Sequence, residues 1–189
     1  MTRFFSFAVL ALLSAPTVLH ADPEDGPRCP QAVPAALVPA ADQRLRFGLA
    51  ATGAQIYVCN VNAAGAYAWL FVAPQANLWN DERMVGTHFI GPTWQGNDGS
   101  AVRGARVAGA TVDATAIPWL LLRSAGNVGA GRFSDISTIQ RLNTTGGLAP
   151  AAELCSAATV GTIAQVPYTA DYFFYDTHTP GRHPNPQCN

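Results

Sequence analysis

The chain contains no lysine: all eleven of its basic residues are arginine, set against twelve acids. Charged residues make up 12% of the sequence, against a usual share of about 25%. With a formal net charge of −1, no basic stripe is available to neutralise phosphates, and nucleic acid is excluded as a partner class. Long apolar runs are scarce as well. Beyond Ala21 none approaches the roughly twenty residues a membrane-spanning helix needs; Ile117-Pro118-Trp119-Leu120-Leu121-Leu122, for one, stops at Arg123. The four cysteines form no C-x-x-C pair, which argues against zinc and dithiol redox motifs. No 3.6-residue apolar period lasts long enough for a major helix, no repeat of solenoid length recurs, and the serine-nucleophile pattern G-x-S-x-G is missing.

The N-terminus is more informative. Arg3 precedes an apolar run from Phe4 to Leu13, then Pro16 and a small residue, Ala21, before the acidic Asp22-Pro23-Glu24-Asp25. That layout predicts a secretory signal peptide over residues 1–21 and a periplasmic or extracellular mature protein. Removing Arg3 leaves ten arginines against twelve acids, a net charge of −2. In an exported chain an even set of widely spaced cysteines implies disulfides. Of the three connectivities, Cys59–Cys155 and Cys29–Cys188 fit best: Cys59 lies in a strand and Cys155 follows a strong core segment, whereas Cys29 and Cys188 both sit in Pro-rich arms.

The order of segments predicts one β domain over residues 44–176. Before it, residues 22–43 form a Pro-rich arm with at most a turn of helix near Ala35-Ala36-Leu37, and after it residues 177–189 form an irregular tail. Runs rich in β-branched and aromatic residues at Leu45–Leu49, Gln55–Val61 and Tyr67–Val72 are separated by turn punctuation. Pro74–Arg83 reads as a loop that carries Trp79 over the sheet. Met84–Ile90 and Thr93–Gln95 alternate as strands around Gly91-Pro92, and Asn97-Asp98-Gly99-Ser100 is a tight turn by composition. Ala101–Val112, Ile117–Leu122, Phe133–Leu142 and a last strand made of Ala164–Val166 and Tyr168–Tyr175 complete the pattern, with Tyr168, Ala170, Tyr172 and Phe174 on one face. Ala125–Arg132 reads as a turn and Asn143–Pro150 as a loop. The fold class is all-β: an antiparallel sandwich or closed barrel of about eight to ten short strands.

Several motifs, in matching order, carry a resemblance: Gln55-x-Tyr57-x-Cys59, Val85-Gly86-Thr87-His88, Gly91-Pro92-Thr93-Trp94, Asp98-Gly99-Ser100-x-Val102, Ile117-Pro118-Trp119, Ile139-Gln140-Arg141-x-Asn143-Thr144 and Val166-Pro167-Tyr168-Thr169-Ala170-Asp171-Tyr172. Over roughly residues 36–176 the chain resembles the bacterial and fungal family known as domain of unknown function 3455. The resemblance implies a secreted single-domain β protein and brings no established activity. Some fungal relatives carry a malate dehydrogenase label. Here the glycine-rich stretch Gly126-Asn127-Val128-Gly129-Ala130-Gly131 lacks the spacing, following helix and acidic residue that dinucleotide binding needs.

The stretch from Val85 to Ser100 concentrates the unusual chemistry. His88 is a titratable imidazole on a strand, with Thr87, Asp98 or Asp171 as possible partners for acid–base work; the plainer role is a strand histidine satisfied by a backbone carbonyl. Trp94 and Trp79, with Asp98, could wall a groove for a sugar ring, while Trp69 and Trp119 read as core. Asp98 is more simply a turn former, and Asp171 the partner of an arginine such as Arg141. His178 and His183 in the tail are weak metal candidates, since ligands need supporting shells. No cofactor is implied, and oligomeric state is not encoded in any visible pattern. The leading expectation is a non-enzymatic binding domain for a small polar or saccharide-like ligand, or for an envelope or matrix surface, using Thr87, His88, Trp94, Asp98, Trp79 and Asp171. The alternatives are a hydrolase or metal-dependent enzyme using His88 with Asp98 or Asp171, and a structural coat protein.

Overall fold

The computed structural model describes residues 29–30 and 32–177. The expected signal segment, the tail histidines His178 and His183, and Cys188 lie outside the described residues.

Eight antiparallel strands form one closed barrel, each hydrogen-bonded to the next and the last to the first. They are β1 (Gln43–Val61), β2 (Tyr67–Asn80), β3 (Arg83–Phe89), β4 (Thr93–Gly96), β5 (Ala101–Ala110), β6 (Trp119–Val128), β7 (Thr138–Gly146) and β8 (Ile163–Thr177). Closure rests on β1, whose 19 residues pair with β8 from Gln43↔Thr177 to Val58↔Ile163 and with β2 from Ala50↔Trp79 to Val61↔Tyr67. The tightest of the sequence motifs are hairpins here. Asn62 accepts from the backbone N–H groups of Ala64 and Ala66 to fold the β1–β2 turn, and Asp98 does the same for β4–β5 through Ser100. The only helical pieces among the described residues are single 3-10 turns at Ala35–Leu37 and Ala152–Leu154, the first of them where the sequence predicts one.

Four strands run further than their composition suggests. Ala51-Thr52-Gly53 is not a turn but the middle of β1, where the glycine is needed because a Cβ would stand 2.1 Å from the Gln75 carbonyl oxygen on β2. Residues 74–80 are not a loop: they continue β2 through Pro74, and the chain reverses at Asp81, whose φ of 52° supplies the left-handed turn. Proline is tolerated because β3 pairs with β2 only from Ala76 onward, so Pro74 has a strand neighbour on one side. The turn expected from Ala125 begins only after Val128, and β7 runs on past Asn143 to Gly146. No helix follows the glycine-rich stretch, which ends β6 and turns into β7.

Alternation sorts the side chains into two cores. Inside the barrel lie Leu49, Leu78, Trp94, Val102, Leu122, Ile139 and the inward row Tyr168, Ala170, Tyr172 and Phe174. Outside it, Leu142, Phe173 and Tyr175 pack under Leu37 of the N-terminal arm, whose backbone oxygen accepts from the Gln140 side chain at 2.7 Å. Trp119 joins this outer cluster rather than the barrel core.

Both barrel ends are stoppered. At one, Phe133 from the β6–β7 connection inserts among Phe47 and Phe174, with ring centroids 5.7 and 5.0 Å away. At the other, the β7–β8 connection crosses the end of β1. Tyr57 donates to the Gly147 carbonyl at 2.7 Å, and the Cys59–Cys155 disulfide, with Cα atoms 5.3 Å apart, ties the connection down. Among the described residues no cysteine is free.

Candidate functional site

Between the stoppers the barrel is not completely filled. The β3–β4 hairpin is short, 7 and 4 residues against 14 for β2 and 10 for β5. Beyond its tip, β2 from Tyr67 to Gln75 has no β3 partner and β5 beyond Arg103 has no β4 partner. A cavity of about 250 Å³ lies at this window, bounded by Phe71, Val72 and Pro74 on β2, Gly91 and Pro92 at the hairpin tip, and Leu120 and Leu122 on β6. Phe71 and Val72 are 55% and 42% exposed while lining it, so the cavity reaches solvent there. Ile90 and Val107, on the elements bounding the window, are exposed apolar residues too.

The inner wall carries the polar groups: Gln55, His88, Trp94, Arg141 and Tyr172. His88 and Trp94 are adjacent residues of β3 and β4 in register, both pointing inward and only 2% and 1% exposed. Their rings stack at 4.4 Å and Tyr172 closes on both edge-on, at 5.0 and 5.2 Å. His88 Nδ1 donates to the Thr93 carbonyl at 2.8 Å; a carbonyl only accepts, which fixes the proton on Nδ1. Burial lowers the His88 pKa to about 3, helped by the Arg141 charge and opposed by the bond to Thr93. The imidazole is therefore neutral at physiological pH. Tyr168 and Tyr172 are pushed upward, mainly by burial, and remain phenols.

Two buried nitrogens in this wall, Gln55 Nε2 and Trp94 Nε1, have no hydrogen-bond partner. Gln55 Nε2 lies near the Tyr168 hydroxyl, close enough to lower that group's pKa slightly but outside hydrogen-bond geometry. Arg141, on β7 opposite Leu120 and Tyr172, donates from both Nε and Nη2 to one oxygen, that of Pro118, at 3.1 and 2.8 Å. This pins the irregular segment before β6.

Of the residues singled out from sequence, the structure brings only His88 and Trp94 together. Thr87 faces outward and lines an open, more polar groove with Thr52, Gln75 and Asn77. Trp79 is half-buried on β2. Asp98 holds its turn: Oδ1 accepts from the Ser100 backbone at 2.9 Å and hydroxyl at 2.6 Å, and Oδ2 from the Arg132 backbone at 2.8 Å. Those bonds lower its pKa, the Ser100 hydroxyl most of all. Asp171 is on the outer face of β8, accepting from Asn143 at 2.9 Å, while Arg141 on the neighbouring strand faces inward. His88 has no hydrogen bond to either carboxylate. No cluster of three or more His, Cys, Asp or Glu residues poised for a metal occurs among the described residues. Gln55 and Arg141 escaped the sequence reading as site residues. The available signal was parity, since Gln55 shares the inward face of β1 with Tyr57 and Cys59.

The fold and site thus define a disulfide-tied, eight-stranded antiparallel barrel with a small interior cavity. Residues 39–176 match the family described as Protein of unknown function (DUF3455), and the chain belongs to it, as the resemblance implied. Comparison with curated proteins and with solved structures gives no match. Among the described residues no helix is long and apolar enough to cross a membrane.

Proposed function

We propose that the mature chain is an exported, non-enzymatic binding protein that holds one small, largely apolar molecule inside the barrel. Export is supported by the signal-like N-terminus and by a disulfide bond, which persists in oxidising compartments. The observation that carries the binding reading is the cavity itself: an apolar-walled space open at a gap in the sheet, in which two buried donors, Gln55 Nε2 and Trp94 Nε1, are left unpaired. Buried polar groups are nearly always satisfied, and a pair of orphans in one cavity wall marks a place where something else completes them. Stacking of a sugar on Trp94 finds less support, because His88 covers one ring face and Tyr172 packs against the indole.

A binder is favoured over a hydrolase because the imidazole proton is committed to Thr93 and burial makes His88 a weak base. The test is the indole N–H resonance of Trp94, titrated with octan-1-ol as an apolar probe. It shifts on binding in the wild-type protein, and Val72→Trp, which fills the window, removes the shift. An unmoved resonance in the wild type overturns the reading.

A further inference from the structure

Building on that binding reading, we infer that the molecule held in the cavity carries a carboxylate or similar anionic head, received by Arg141, Gln55 and Trp94. Arg141 brings a permanent positive charge into the inner wall. None of the described residues lining the cavity is acidic. Its contact with Pro118 uses Nε and one Nη2 hydrogen, both on a single neutral oxygen. A guanidinium has five N–H donors; the Tyr172 hydroxyl draws on another, which leaves two. Its charge is felt across the cavity, by Tyr57, His88, Tyr168 and Tyr172 alike.

The two orphaned groups add the second observation. Gln55 Nε2 and Trp94 Nε1 are both donors, on residues 2% and 1% exposed. Three donors from three different strands, one of them charged, in a wall without a carboxylate make a receptor for an acceptor-only, negatively charged group. Pinning the Pro118 segment accounts for the position of Arg141 but leaves both orphans unexplained. Phe71, Pro74, Leu120 and Leu122 then suit an alkyl or aromatic tail directed towards the window. The chemistry is that of a small apolar acid.

The experiment compares octanoate with octan-1-ol as probes, by calorimetry and by the Trp94 indole resonance, on the full mature chain. The expected result is octanoate binding about tenfold or more tightly than the alcohol, the effect of one charge-assisted contact. In Arg141→Gln, checked for folding by circular dichroism, that ratio falls towards unity. Should this variant not fold, Gln55→Leu serves instead and lowers the ratio by several-fold. Equal affinity for the two probes, or a ratio unchanged in a folded variant, overturns the anionic head while leaving the cavity as a binding site. No binding of either probe overturns both readings together.

Discussion

His88 and Trp94 lie face to face across the β3–β4 pair, their ring planes 10° from parallel and their centroids 4.4 Å apart. The contact explains why the most chemically suggestive histidine of the sequence behaves as part of the core. It also makes the protein sensitive to acid in a particular window.

The folded-state pKa of His88, about 3, lies below its ordinary 6.5, so in this range the unfolded chain binds the proton and the folded one does not. Stability is therefore complete above roughly pH 6.5 and falls as pH drops towards 3, by at most about 1.4 kcal/mol per unit from this group. Thermal unfolding between pH 4 and 7 is expected to show that slope, and His88→Phe, which keeps an aromatic ring on Trp94, to flatten it. An identical slope in both proteins would assign the acid sensitivity to other groups.

Asp98→Ala removes three acceptor contacts, two that fold the β4–β5 turn onto Ser100 and one that ties it to Arg132 in the β6–β7 connection. Denaturant titration is expected to show a loss of about 1–3 kcal/mol. Octan-1-ol binding should survive, because Asp98 does not line the cavity. Loss of binding with unchanged stability would give Asp98 a ligand-facing role.

Gln55→Leu exchanges a buried amide with an unpaired nitrogen for a hydrocarbon of similar size. Removing an unsatisfied donor stabilises or is neutral, so the ligand-free melting temperature is expected to hold or rise, equivalent to as much as about 1–2 kcal/mol. A marked fall would show that the amide is satisfied in solution, most simply by ordered water.

Cys59 and Cys155 are 96 residues apart in the chain. Closing a loop of that size lowers the entropy of the unfolded state, and removing the bond through Cys59→Ala with Cys155→Ala is expected to cost about 2–5 kcal/mol. Comparison of urea midpoints with and without the pair checks this. An unchanged midpoint would mean that Tyr57 and the Gly147 backbone hold the barrel end unaided.

Much of the fold was legible because strand alternation is a local signal. Tyr168, Ala170, Tyr172 and Phe174 were readable as one face from spacing alone, and all four point into the barrel. Asn97-Asp98-Gly99-Ser100 declares its turn through side-chain bonds that need no distant partner. Strand ends were less legible. Gly53 and Pro74 look like breaks, yet a close backbone approach requires the first and a missing neighbour admits the second. The site was least legible, since it depends on which residues from β1, β4 and β7 meet across the barrel. Trp94 looked available because nothing local reveals that His88 covers it. Arg141 looked like a partner for Asp171 until the register of β7 against β8 put the two on opposite faces.

The closure of β1 on β8 sets an order of events. Gln43 and Thr177 are neighbours across the seam, so the barrel has no complete wall until nearly all of the domain is present, and pairings of such long sequence separation form slowly. A chain emerging from its N-terminus stays unsealed until its final strand arrives.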